Sequence, residues 1–134
     1  MANFEWSDDY SVGIPSIDAQ HQRLFEIFNE LFDSLEKGEK RVIAKALGDM
    51  WQYTCDHFEY EEKYFARHKY PDGDAHKAEH AAVSKQVNEQ VIKFNDGSLE
   101  LTTELADFLT NWLKNHINGT DKKYSSFLQE KGMR

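Results

Sequence analysis

His57-Phe58-Glu59-Tyr60-Glu61 is the stretch whose reading decides the fold. In a helix, residues four apart stand one turn apart on one face, so the His57 imidazole stacks beside the Glu61 carboxylate. Both groups are metal donors. A His–Glu pair at this spacing is common, and this one gains weight from its setting. It continues an apolar seam of Ile43, Leu47, Met50, Thr54, His57, Glu61 and Tyr64, spaced in steps of three and four. That period predicts a helix over about 40–68. Lys69-Tyr70-Pro71-Asp72-Gly73 ends it, because the residue before a proline avoids helical angles and Gly73 favours a turn.

The same period recurs on both sides. Helix-start signals at Pro15-Ser16-Ile17-Asp18 open a helix over about 16–37, with Ile17, His21, Leu24, Phe28, Leu31 and Leu35 on its seam and Gly38 as its stop. A third helix over about 73–95, capped by Asp72 or Asp74, carries His76, His80, Val83, Val87, Val91 and Phe94. Asn95-Asp96-Gly97-Ser98 is a loop, and Ser98 caps a fourth helix over about 99–118 with Leu101, Leu105, Phe108, Leu109, Trp112 and His116. After His116 the register slips. An α-helix would bring position 120 to the seam, yet the next members are Asp121, Tyr124 and Leu128. One extra residue, absorbed by a π-bulge or a break at Gly119, brings Asp121 to the side of His116, and a helical continuation follows over about 120–131. Residues 1–14 lack a helical period, but Phe4, Trp6 and Tyr10 mark them as an arm that packs back on the domain. No alternating strand pattern competes. The expected architecture is all-α: one domain over 1–134, an up-down-up-down antiparallel four-helix bundle with an N-terminal arm.

Composition narrows the function. The chain has 134 residues, 40% hydrophobic and 30% charged, enough for one core. A net charge of −8 argues against nucleic acid or an anionic membrane surface as a partner. No apolar run approaches the ~20 residues that span a bilayer, and the acidic start is not a signal peptide. Cys55 is the only cysteine, so no disulfide forms within the chain. A cytoplasmic monomer is the expectation.

Each of the four seams contains histidine. One alone reads as a core residue with a satisfied hydrogen bond. The set does not, because His21, His57, His76, His80 and His116 are joined by Glu61 and, through the register slip, Asp121. Each buried carboxylate loses several kcal/mol of solvation, a cost that a metal ion offsets. Antiparallel alternation puts all seven at one level: early in the first and third helices, late in the second and fourth. Seven donors exceed what a tetrahedral structural zinc uses, and zinc sites of that kind favour Cys. Two six-coordinate ions sharing carboxylates fit better. Imidazole with carboxylate suits iron, with zinc, manganese or copper as alternatives.

These residues resemble the hemerythrin family in its single-domain bacterial branch. The matching pieces are Asp18-x-x-His21-x-x-Leu24, His57-Phe58-x-x-Glu61-Glu62, Tyr70-Pro71, His76-x-x-x-His80 and Trp112-Leu113-x-x-His116-Ile117-x-x-x-Asp121, over about residues 6–131. Myohemerythrin, a relative, is itself a known example of the up-down-up-down bundle, so resemblance and architecture are not independent.

The resemblance implies two iron ions with an oxo or hydroxo bridge. His76, His80 and His116 hold one, His21 and His57 the other, and Glu61 and Asp121 bridge them. It implies reversible dioxygen binding, end-on as a hydroperoxide, at the one open position, in a binding protein rather than an enzyme: an oxygen carrier, store or scavenger. Leu24, Phe25, Phe58, Trp112, Leu113 and Ile117 flank the ligands as walls of a dry pocket. Five imidazoles stabilise high-valent iron less than the carboxylate-rich sets of di-iron oxygenases, which favours binding over O–O cleavage. Alternatives are an oxygen, nitric oxide or redox sensor acting through a signalling partner, a weak peroxidase or nitric oxide reductase, and a bundle with structural zinc; an oxygen-consuming partner is compatible with the first reading. His68 is expected to be a non-ligand near a helix end, Cys55 a packed residue, Tyr124 a packing residue near the bridge, and Glu59 and Glu62 solvated acids.

Overall fold

The computed structural model describes residues 5–97 and 103–134, without the side chains of 103–106. It is a four-helix bundle, as the seams predict. The helices are α1 (Pro15–Lys37), α2 (Lys40–His68), α3 (Gly73–Asn95) and α4 (Thr103–Asn115), followed by a π-helical turn at His116–Thr120, a 3-10 turn at Asp121–Tyr124 and α5 (Ser125–Glu130). Gly38 ends α1 in the left-handed region at φ 72°, where its amide donates to the Ser34 carbonyl. α2 ends on Lys69, left-handed at φ 56° although it is not glycine. Among the described residues no helix is long and apolar enough to cross a membrane.

Several expectations change. α4 stops at Asn115 rather than 118, because the chain goes over to π geometry at His116 itself, one residue before the expected Ile117–Thr120 slip. The continuation expected as one helix over 120–131 is a 3-10 turn and then the short α5. Phe108, placed on the seam by spacing, is 42% exposed, and Leu109 beside it is buried. Phe65 takes the core place assigned to Tyr64, which packs half-buried at the edge. Asp72 stands at the N-cap of α3, one of the two expected places, but makes no side-chain cap hydrogen bond, and Asp74 lies in the first turn. The Ser98 cap, the start of the fourth helix near 99, Leu101, the Leu105 side chain and Phe4 lie outside what is described.

The core has two parts. The larger runs along the bundle through Leu24, Phe28, Leu47, Met50, Val83 and Leu109. The smaller gathers Val12, Ile14, Ile17, Phe65, Tyr124 and Leu128 at the end where the arm and α5 meet. The arm docks as expected of its aromatics: Trp6 and Tyr10 rest edge-on against Phe25 at 5.5 and 5.0 Å. Asp18 pins it, accepting from the Ser11 hydroxyl at 2.5 Å and the Val12 amide at 2.8 Å. Ser125 donates to the Val12 carbonyl and Lys122 to that of Asp9, which ties the arm to the C-terminal segment.

Candidate metal centre

A polar layer separates the two apolar clusters. α1 passes from Ile17 to Leu24 through His21, α2 from Phe58 to Phe65 through Glu61, and the final segment from Ile117 to Tyr124 through Asp121. The seven side chains singled out by their spacing all meet here, none more than 3% exposed. They form two groups of donors whose atoms lie within 4.8 Å of one another: Glu61, His76, His80, His116 and Asp121, and His21, His57, Glu61 and Asp121. The carboxylates belong to both. Asp121 Oδ1 is 3.0 Å from His76 Nε2 and 3.0 Å from His116 Nε2, while its Oδ2 is 3.1 Å from His21 Nε2. Glu61 Oε1 is 3.2 Å from His80 Nε2 and 3.4 Å from His57 Nε2. The π turn is what delivers Asp121, since its extra residue per turn restores position i+5 to the face of His116.

The outer edges of the rings set their tautomers. His57 Nδ1 donates to Gln20 Oε1 at 2.7 Å, His80 Nδ1 to Glu62 Oε2 at 3.0 Å and His116 Nδ1 to Glu79 Oε1 at 2.8 Å. Thr120 Oγ1 donates to both oxygens of Glu79, at 2.9 and 3.1 Å. A proton on the outer nitrogen leaves the Nε2 lone pair facing inward. Within each group two inward Nε2 atoms face each other at 3.1 Å, His21 with His57 and His80 with His116. His21 Nδ1, Glu61 Oε1, His76 Nε2 and both Asp121 oxygens are buried without a hydrogen-bond partner. Converging lone pairs around unpartnered carboxylate oxygens are what a cation resolves, and the imidazole–carboxylate donor set suits iron.

Residues 12–128 match the family model described as the hemerythrin HHE cation binding domain. The chain belongs to the hemerythrin family. A bacteriohemerythrin of Stenotrophomonas maltophilia is 34% identical over 125 residues, 93% of this chain and 81% of its own. One from Methylococcus capsulatus is 32% identical over 129 residues, covering 96% and 98%. The crystal structure of a wild-type hemerythrin matches with a TM-score of 0.90 at 31% identity, over 93% of this chain and 97% of the other. Hemerythrins bind dioxygen at a non-haem di-iron centre.

The electrostatics of this hemerythrin follow from burial. Burial and the nearby Asp121 charge push the Glu61 carboxyl up, but His57, His76 and His80 outweigh them and hold it well below the usual range. Asp121 is likewise held low, burial being overcome by His116, His21 and His76. Burial drives the His57 imidazole down to about 4, so it stays neutral and keeps its lone pair. Burial also lowers His76, yet Asp121 and Glu61 raise it to about 9.

Tyr124 is more than the packing residue its position suggested. Fully buried, its hydroxyl donates to Glu61 Oε2 at 2.5 Å, and burial followed by the Glu61 and Asp121 charges pushes the phenol well above its ordinary range. Glu62 is not simply a solvated acid, since it holds His80. Gln20 and Glu79 were not singled out by spacing. Of the expected pocket walls, Leu24, Phe25, Phe58, Leu113 and Ile117 are buried. Trp112 is half-buried, stacked on His116 at 4.6 Å and 15°. Phe58 stacks on His80 at 3.8 Å and 8°. His68 stands apart beside Tyr64 at the end of α2, their rings 6.1 Å apart. Cys55 is free and half-buried.

Proposed function

We propose that this chain binds dioxygen reversibly at two irons, as a carrier, store or scavenger. The observation that carries the reading is the sharing of Glu61 and Asp121 between two buried donor groups. His76, His80 and His116 would hold one iron and His21 and His57 the other, with the two carboxylates shared between them. The second group has one imidazole fewer, so dioxygen would bind on the His21–His57 side. When bound, the irons supply a coordination position and the electrons for reversible dioxygen binding.

The chain's own residues do the rest. Tyr124 orients Glu61, and Gln20, Glu62 and Glu79 hold rings in the tautomer that presents Nε2. Leu24, Phe25, Phe58, Leu113 and Ile117 keep water from the layer, which favours release of dioxygen intact over irreversible oxidation. Nothing in this arrangement needs a substrate other than dioxygen.

The test is an absorption spectrum of iron-loaded protein, reduced without oxygen, then in air, then returned to vacuum. A charge-transfer band that appears with air and vanishes under vacuum is expected. Irreversible oxidation on first contact would favour the sensor or enzyme readings. A colourless zinc protein would leave only the structural one.

A further inference from the structure

The two donor groups are backed unequally. On the three-histidine side, His80 and His116 each donate their outer N–H to a carboxylate, Glu62 at 3.0 Å and Glu79 at 2.8 Å, and Thr120 fixes Glu79 in turn. On the two-histidine side, His57 donates to the neutral amide oxygen of Gln20 at 2.7 Å. His21 Nδ1 is buried with no partner at all. A carboxylate behind an imidazole makes it a stronger, better-oriented donor, an amide oxygen does so less, and an unpartnered ring gains nothing. Two clefts also come up to histidines of the first group. One cleft of about 230 Å³ reaches His76, Glu79 and Thr120, and another of about 230 Å³ reaches His80, Phe58 and Glu62. Both open onto the three-histidine side.

We propose that the two metal positions differ in affinity and fill in order, the three-histidine position first, and that Gln20 is the positioning residue that keeps the second position weaker. This rests on the metal-centre reading above and adds a specific role for the residue behind His57. A glutamate at position 20 would give His57 the same backing as His80 and His116. A glutamine at 62 or 79 would take that backing away from the other side. Gln20 thereby sets the gap between the two steps without touching a metal.

The experiment is titration of the metal-free full-length protein with Co²⁺ under argon, read by d–d absorption and by calorimetry, so that it needs no dioxygen chemistry. Wild type is expected to bind two equivalents in two resolved steps. Q20E should tighten the second step by about tenfold or more and leave the first in place, in keeping with the ~10–100-fold effects of residues that orient metal ligands. E62Q and E79Q should weaken the first step by about tenfold, narrowing the gap from the other side, and they test the idea even if Q20E folds poorly. Two indistinguishable steps in wild type, or a second step unchanged within twofold in a folded Q20E, overturn this proposal while leaving the metal centre standing. Failure to bind any Co²⁺ overturns both.

Discussion

Tyr124→Phe isolates one hydrogen bond at the centre. The ring stays packed: Phe65 lies 5.4 Å away, His76 5.6 Å and Tyr70 6.5 Å, and phenylalanine keeps all three contacts. Only the hydroxyl is lost, and with it the 2.5 Å bond to Glu61 Oε2, an ionised oxygen in a fully buried carboxylate. A hydrogen bond to a charged group contributes ~1.5–3 kcal/mol, so the metal-free protein should lose about 2 kcal/mol. Unfolding entropy near the midpoint is ~2.1 cal/mol/K per residue, or about 0.28 kcal/mol/K for 134 residues, which converts that loss to about 7 °C in Tm. The freed carboxylate can also rotate, so Co²⁺ affinity should fall ~10–100-fold. Circular-dichroism melts of the metal-free protein and a Co²⁺ titration check the two effects separately. A Tm within about 1 °C of wild type together with an affinity within twofold would refute the reasoning, reducing Tyr124 to a packing residue.

Glu61→Ala removes a donor common to both groups and leaves the Tyr124 hydroxyl and four imidazoles facing a void; metal content should collapse and stability fall by ~3–5 kcal/mol, and retention of two irons per chain by elemental analysis would contradict its bridging role. Leu113→Ala, at a buried wall position, should cost ~2–5 kcal/mol and speed autoxidation of the iron-loaded protein severalfold by admitting water. An unchanged autoxidation half-life would remove Leu113 from the water-excluding wall. Inserting an alanine after Gly119 adds a residue that the π turn has no room for, turns everything beyond by ~100°, and should cost at least tenfold in Co²⁺ affinity. Deleting Gly119 instead should turn the π segment into an ordinary α-turn with Asp121 still beside His116, so binding should survive; the opposite pair of outcomes would show that the register has been misread.

The bundle was legible because its signal is repetitive: each seam recurs every three or four residues, and burial follows it at Ile17, Leu24, Leu47 and Val83. The π turn was legible for a related reason, since a shift of one residue in a regular pattern shows against the pattern. Its geometry was not. Spacing alone does not distinguish a bulge from a break, and Gly119, the suspected hinge, adopts no left-handed angle and has open space where a Cβ would go. Phe108 misled for the opposite reason. Period alone placed it beside Leu109, but a seam is narrower than the band of hydrophobic residues that marks it, and only Leu109 turns inward.

What the seams did not reveal lies one residue beside them. Gln20 precedes His21, Glu62 follows Glu61 and Glu79 precedes His80, yet each serves the histidine of the next helix along: Gln20 on α1 holds His57 on α2, Glu62 on α2 holds His80 on α3, and Glu79 on α3 holds His116 at the end of α4. Such a residue sits at the boundary of the polar face, where a side chain can reach round the neighbouring helix at the height of the donor layer. In the sequence it looks like any other surface acid or amide, because its partner is 37 or 18 residues away. The rule that finds it needs the bundle first: once the seven donors are known to share a level, the acceptor next to His21, Glu61 or His80 is the one able to reach the neighbouring helix. By that rule the backing of the centre advances from helix to helix and stops short of His21, whose buried outer nitrogen has no hydrogen-bond partner. The unequal backing of the two donor groups is therefore a consequence of where the relay of neighbours begins and ends.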